Sequence, residues 1–291
     1  MRRDADAFRD FAQLDPRSAR GSFYTRVVEA LELGAFTPLL LWLISDEHPT
    51  PVEQRDKALA AMESWAVRRT LLRQTMKDVN KLVVAMLKEL GRHAGAGVGD
   101  AAVAYLQAQT ADARIWPADE ALTTQLPNVK AYGNIKQQRL RTILAGVELQ
   151  LRTDRHEVVT LPTKLDIEHV MPQGWRSFWD DGTASDYEAA AARDHLINTL
   201  GNLTLVTQKL NIALSNRPWT DEAALPIAPT GKDPGLGKRS LLNRFSVLLL
   251  NKDIVDPHIG SWTEADIADR NVSLAKTIAK VWPRPDTGGD L

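Results

Sequence analysis

The chain has 291 residues, 44% of them hydrophobic and 25% charged, the composition of a folded globular protein long enough for two packed units. A formal net charge of −1 gives no global attraction for a polyanion, so any contact with nucleic acid has to come from a locally basic face. The absence of cysteine excludes disulfides and paired-cysteine zinc sites and fits a reducing, cytoplasmic setting.

The longest apolar run, around Phe36 to Ile44, is about half of the roughly 18 residues that a membrane span requires, so no membrane partner is expected. The opening MRRDADAFRD lacks the apolar core of a signal peptide, so neither is export.

Residues 1–155 read as a helical bundle, with apolar residues at three- and four-residue spacing and few β-branched runs. One helix should begin after Pro49-Thr50-Pro51, with Ala58, Ala61, Met62, Trp65 and Leu72 as its apolar stripe and Arg68, Arg69 and Arg73 on its other face. Between Lys77 and Leu90 a second helix turns Val79, Leu82, Val83, Met86, Leu87 and Leu90 inward, and Gly91 is its stop. The stretch that follows, crowded with Gly and Ala, reads as a loop. A further helix from about Asn134 to Arg155 buries Ile135, Leu140, Ile143, Leu144, Val147 and Leu151, leaving Lys136, Arg139, Arg141 and Arg152 outside.

At Glu157 the pattern becomes β-branched and roughly alternating, which places a domain boundary between residues 155 and 156. Residues 156–220 then give a strand, an insertion with a helix over Asp186–Asn198, a strand over Leu200–Thr207 and a short helix over Gln208–Leu214. Residues 221–291 give a loop rich in Pro and Gly from Ala224 to Lys238, a helix over Ser240–Leu250, and a final helix opened by Thr263, with Asp266 three residues on. Ile267, Leu274, Ile278 and Val281 should pack that last helix down.

The chemistry-bearing residues gather in the middle segment. Phosphodiester hydrolysis needs a base for water, a cation against the charge on phosphate and leaving oxygen, and a group that fixes the base. In Asp-Ile-Glu-His-Val-Met-Pro-Gln, Glu168 and His169 end a strand just before a proline, where a bend would bring both to one site. A neutral His169 suits proton abstraction near pH 7 if its other ring nitrogen is held. Downstream, Gly201-Asn202-Leu203-Thr204-Leu205 leads after nine residues to Asn211 on the short helix, aimed at a metal beside Glu168. So few oxygen ligands, completed by water and phosphate, suit one hard divalent ion, Mg²⁺ or Mn²⁺.

Ile-Glu-His-Val-Met-Pro-Gln, Leu-Gly-Asn-Leu-Thr-Leu-Val and Leu-Asn-Ile-Ala-Leu-Ser-Asn together resemble the C-terminal HNH (His-Me finger) nuclease domain of GmrSD-type restriction proteins, including the SspE branch. The flanks Glu63-Ser-Trp-Ala-Val-Arg-Arg, Leu-Leu-Leu-Asn-Lys-Asp and Trp-Thr-Glu-Ala-Asp-Ile-Ala-Asp-Arg resemble that family too, so the likeness spans roughly residues 55 to 285. It implies a mainly α protein with a small embedded ββα-metal unit, in which His169 is the general base, Glu168 and Asn211 are metal ligands, and Asn202 braces the loop that holds the histidine. Asp166 would stand just behind the metal. The implied activity is metal-dependent DNA nicking within a modification-dependent restriction or anti-phage system. Such proteins also carry a ParB-like sensor and nucleotidase domain with an Asp-Gly-Gln-Gln-Arg motif. That motif does not occur here, so the chain reads as a C-terminal fragment or as a separate nuclease subunit.

Plainer roles compete at several positions. Asn202 and Asn211 are also good turn or cap residues. His195, shortly before Asn202, either contacts phosphate or, more commonly for a helix end, caps or packs. Arg68, Arg69, Arg73, Arg139 and Arg141 are either solvated helix faces or contacts to the DNA backbone. The eight tryptophans lie mostly on apolar stripes and belong to the core. At the level of the whole chain, the rival to an endonuclease is a non-catalytic helical adaptor that retains the HNH scaffold and binds DNA or another subunit.

Overall fold

The structure, a computed structural model, describes residues 9, 11–15, 18–45, 47–93, 95–157, 162 and 164–285. Thirteen α-helices, a few 3-10 and π-helical turns and one two-stranded sheet make up its regular elements among the described residues. This is the mainly helical architecture that the apolar spacing predicts. No helix among these residues is long and apolar enough to cross a membrane. The chain forms two compact units, Met1–Leu122 with Trp282–Leu291, and Thr123–Val281.

The first unit contains α1 (Ala19–Phe23), α2 (Thr37–Ile44), α3 (Val52–Leu71), α4 (Val79–Arg92) and α5 (Val98–Gln107). Helix α3 starts after Pro51 as expected and buries Ala58, Met62 and Trp65. Its supposed outer face is not outer: Arg68 and Arg69 are both 0% exposed. Arg68 donates Nε to the Trp282 carbonyl (2.7 Å) and Nη1 to the Pro117 carbonyl (2.9 Å). Arg69 donates to the carbonyls of Ile115 (2.7 Å), Thr75 (2.6 Å) and Asp112 (3.0 Å). A guanidinium carries five donors in a fork, enough to satisfy a returning loop whose carbonyls would otherwise be buried unpaired. Arg73 follows the helix and is exposed, with φ 54°.

The Gly- and Ala-rich stretch expected to be a loop folds in part as α5. A Cβ at Gly99 would lie 2.5 Å from the Gln54 carbonyl oxygen of α3, so small residues here mark close helix packing rather than a turn. Helix α4 also runs through Gly91 to Arg92.

The division between the units falls within α6 (Asp119–Gln125). The second unit continues with α7 (Gln137–Leu151), β1 (Asp166–His169), α8 (Tyr187–Leu196), β2 (Leu203–Val206), α9 (Gln208–Leu214), α10 (Asp221–Ala224), α11 (Lys238–Phe245), α12 (Leu249–Val255) and α13 (Glu264–Val281). The two strands are antiparallel, with Asp166 opposite Val206, Ile167 opposite Leu205, Glu168 opposite Thr204 and His169 opposite Leu203. The order strand, insertion, strand, helix is the one expected. Residues 158–161 and 163 of the anticipated β-branched entry lie outside the described residues.

The expected boundaries at 155–156 and 220–221 do not coincide with the compact units. Helix α7 packs its buried Leu140, Ile143, Leu144 and Val147 in the unit of the strands, touching β1, β2, α12 and α13, and the C-terminal helices belong there too. The helix expected over Ser240–Leu250 is two helices. Ser246 and Leu248 are extended, and the buried Glu148 carboxylate of α7 accepts the N–H groups of Leu249 (3.2 Å) and Leu250 (2.9 Å), capping α12 from outside. Thr263 and Asp266 form the anticipated reciprocal cap at the start of α13, with Thr263 N–H on Asp266 Oδ2 at 2.7 Å and Asp266 N–H on Thr263 Oγ1 at 3.4 Å.

Candidate functional site

Alternation along β1 gives Asp166 and Glu168 one face and Ile167 and His169 the other, so the expected meeting of Glu168 and His169 at one site is not made by the strand itself; the Lys238 ammonium, bonded to the Glu168 carboxylate and to the His169 carbonyl, is the contact that joins them. His169 is buried, with 8% exposure, and its ring meets Tyr132 edge-on at 4.4 Å between centroids. Its Nε2 lies 3.2 Å from Asn198 Oδ1. The direction of this bond follows from the rest of the amide. Asn198 Nδ2 donates to the Asp194 carbonyl (2.8 Å), and Oδ1 also accepts from Gln173 Nε2 (3.0 Å), so Oδ1 is an acceptor and His169 Nε2 carries the proton. Nδ1 of the neutral ring is therefore the lone pair, and it has no hydrogen-bond partner among the described residues. Burial lowers the imidazole pKa to about 4; the Asn198 bond opposes the shift and the charge of Lys238 adds to it.

Directly after His169 the chain turns, and the fully buried Asn202 clasps that turn. Its Oδ1 accepts the Met171 N–H (2.8 Å) and the Trp262 indole N–H (3.1 Å), while Nδ2 donates to the carbonyls of Met171 (2.8 Å) and Ile197 (2.9 Å). Every hydrogen-bonding position of the amide is used. Asn202 is itself held from α13. Arg270 Nη1 donates to the carbonyls of Gly201 (2.7 Å) and Leu203 (2.9 Å), and Asn271 Oδ1 accepts the Gly201 N–H (2.6 Å). A Cβ at position 201 would sit 2.2 Å from the Ile267 carbonyl oxygen, so glycine is what lets this turn seat against α13.

On the opposite face of β1, Glu168 is 7% exposed and its Oε1 is bonded by the ammonium of Lys238, which is 0% exposed. The same ammonium donates to the His169 carbonyl at 2.7 Å. Burial pushes the Glu168 carboxyl up and the Lys238 ammonium down, and in each case the partner's charge opposes the shift. Asp166 and Asn211 are half-buried, with Asn211 Nδ2 3.5 Å from Asp166 Oδ2. Among the described residues no three His, Cys, Asp or Glu side chains come together as a metal cluster. Two carboxylates and an amide oxygen are what this region of β1 and α9 offers, and they are hard donors of the type that Mg²⁺ and Mn²⁺ accept.

The other anticipated site residues separate. His195, exposed near the end of α8, has Nε2 3.1 Å from the Asn128 carbonyl, the helix-end role weighed for it. Arg68 and Arg69 leave the set of candidate phosphate contacts, because their guanidinium groups are buried and committed to backbone carbonyls. Arg139 and Arg141 are half-buried on α7. Arg141 lines an open groove of about 390 Å³ with Gln138, Thr142, Lys164 and Asp166. Sequence reasoning missed Asn198, Lys238, Arg270 and Asn271, which reach the site from 29 to 72 residues away, and gave no role to Gln173 within the Glu-His motif. Asn198 had a nearby signal in its closeness to Gly201-Asn202, and Gln173 had one in the motif that it closes.

Fold and site together define a mainly helical protein in which a short strand pair presents a histidine and two acids, braced by a buried asparagine. The family model for the C-terminal domain of GmrSD restriction endonucleases matches residues 116–277, more than half of the chain, and the chain belongs to that family. No curated protein and no solved structure matches it.

Proposed function

We propose that the chain is a metal-dependent DNA endonuclease of the HNH type, with its site on β1, β2 and α9. The observation that carries this reading is the fixed tautomer of His169: Nε2–H rests on Asn198, and Nδ1 is left as a base that is neutral at physiological pH. Nδ1 takes the proton of the attacking water, and Asn198 steadies the ring through Nε2 as charge develops on it. Asn202 keeps the turn after His169 from shifting while this happens. Glu168 and Asn211, with Asp166 behind them, are the groups to hold one divalent cation. Asn211 has its Nδ2 directed at Asp166, which leaves its amide oxygen as the donor. The cation, when bound, supplies charge stabilisation at the phosphate and the leaving oxygen.

Arg141 and Lys164 line the groove beside Asp166, which supports a role for them in holding phosphates of the cut strand. One such site addresses one strand at a time, so nicking is the expected product. Membership of a restriction endonuclease family supports a defence role, with DNA modification as the discriminant and a sensor domain or subunit as partner. The rival adaptor reading draws on one observation, that Glu168 is already neutralised by Lys238.

Plasmid conversion separates the two. Supercoiled DNA incubated with the protein in Mg²⁺, Mn²⁺ or EDTA should be nicked only with metal, and His169→Ala should bind the plasmid without cutting it. Binding without metal-dependent nicking on modified and unmodified plasmid alike would favour the adaptor.

A further inference from the structure

Lys238 is the one charged side chain of the site that the nuclease reading leaves without a task. It lies at the start of α11, where the helix dipole disfavours a cation, so it is not there for the helix. Its backbone is set firmly. The Lys238 N–H bonds the Pro218 carbonyl (2.8 Å), and the preceding Gly237 N–H bonds Asp221 Oδ1 (2.7 Å). A Cβ at Gly237 would lie 2.4 Å from the Trp219 carbonyl oxygen, so the backbone is seated too closely there for any side chain. From this anchor the side chain runs wholly buried to two acceptors in consecutive residues, a carboxylate oxygen of Glu168 and the carbonyl of His169.

We propose that Lys238 is the positioning residue of the site: it pins Glu168 and the end of β1 together, orients the carboxylate for the divalent cation, and supplies positive charge while that cation is absent. The proposal rests on the nuclease reading. A buried carboxylate without a counter-charge is costly, so without Lys238 the cation itself becomes the counter-charge. A bound cation and the ammonium also repel each other across the carboxylate, so Lys238 moderates metal affinity while it fixes geometry.

The test compares the full chain with Lys238→Met by thermal unfolding in EDTA and in saturating Mn²⁺, by Mn²⁺ titration followed by EPR, and by plasmid nicking. In EDTA the variant should melt roughly 10 °C lower. Mn²⁺ should raise its Tm by several degrees more than it raises that of the native chain, and should bind it more tightly. Nicking at saturating Mn²⁺ should nevertheless stay about 10–100-fold slower, because the metal restores charge but not the hold on the His169 carbonyl. If Lys238→Met does not fold in EDTA, Lys238→Gln, which keeps a donor and loses the charge, should show the same excess Mn²⁺ shift. An equal Mn²⁺ shift and an equal nicking rate in variant and native chain would reduce Lys238 to an ion pair of the core. A native chain that neither binds Mn²⁺ nor nicks would overturn the nuclease reading itself, and this proposal with it.

Discussion

His169 and Asn202 carry opposite kinds of information about the site. The histidine's folded pKa of about 4 lies below its ordinary 6.5 because burial disfavours the imidazolium. Its contribution to stability is therefore complete above about pH 6.5 and is lost as the pH falls toward 4. Followed by NMR, the His169 ring should titrate with a midpoint well below 6.5, and His169→Gln should show a shallower loss of stability between pH 6.5 and 4 than the native chain. A midpoint at or above 6.5 would contradict the buried neutral ring. Asn202→Ala should cost about 2–4 kcal/mol in denaturant unfolding, since it strands buried groups of Met171, Ile197 and Trp262 at once. It should also slow nicking beyond what the stability loss explains. These two residues, with Glu168 and Asn211, stood out in the sequence because each sits in a short motif of its own, Glu-His-Val-Met-Pro, Gly-Asn-Leu and Leu-Asn-Ile. Lys238 did not, since a hydrogen bond across 70 residues leaves no periodic trace.

The strands and short helices of the site were legible because alternation and Gly201-Asn202 are local signals, and α9 begins and ends where the sequence pattern places it. The strand over Leu200–Thr207 came out shorter, with its first three residues in a 3-10 turn pinned by Arg270 and Asn271. The break between α11 and α12 was not legible. It depends on Glu148 of α7 capping Leu249 and Leu250 from about 100 residues away. At this scale Gly201→Ala is the informative change. Its Cβ has no room against the Ile267 carbonyl, so the turn must move, at a cost of about 2–3 kcal/mol in chemical denaturation. Unchanged stability would mean that the seat against α13 is looser than this geometry.

Across the whole chain, the helical class followed from apolar spacing, whereas the grouping into units did not, because it depends on which distant helices share a core. Trp282 shows this. Its carbonyl accepts from Ser64 (2.8 Å) and Arg68, and its indole donates to Glu63 (2.8 Å), so residues near the end of the sequence complete the unit that contains α3. Trp282→Ala should cost that unit about 3–5 kcal/mol by thermal unfolding. Arg68 and Arg69 were misjudged for the same reason, since nothing adjacent to them in sequence announces the carbonyls they satisfy. The proposed nuclease activity depends on His169 acting as a base, and the most direct measurement is the single-turnover nicking rate in saturating Mn²⁺ for the native chain and for His169→Ala with and without added imidazole. We expect the variant to lose about 10²–10⁴-fold in rate and imidazole to restore part of it. A variant that nicks at the native rate, with or without imidazole, would contradict the account.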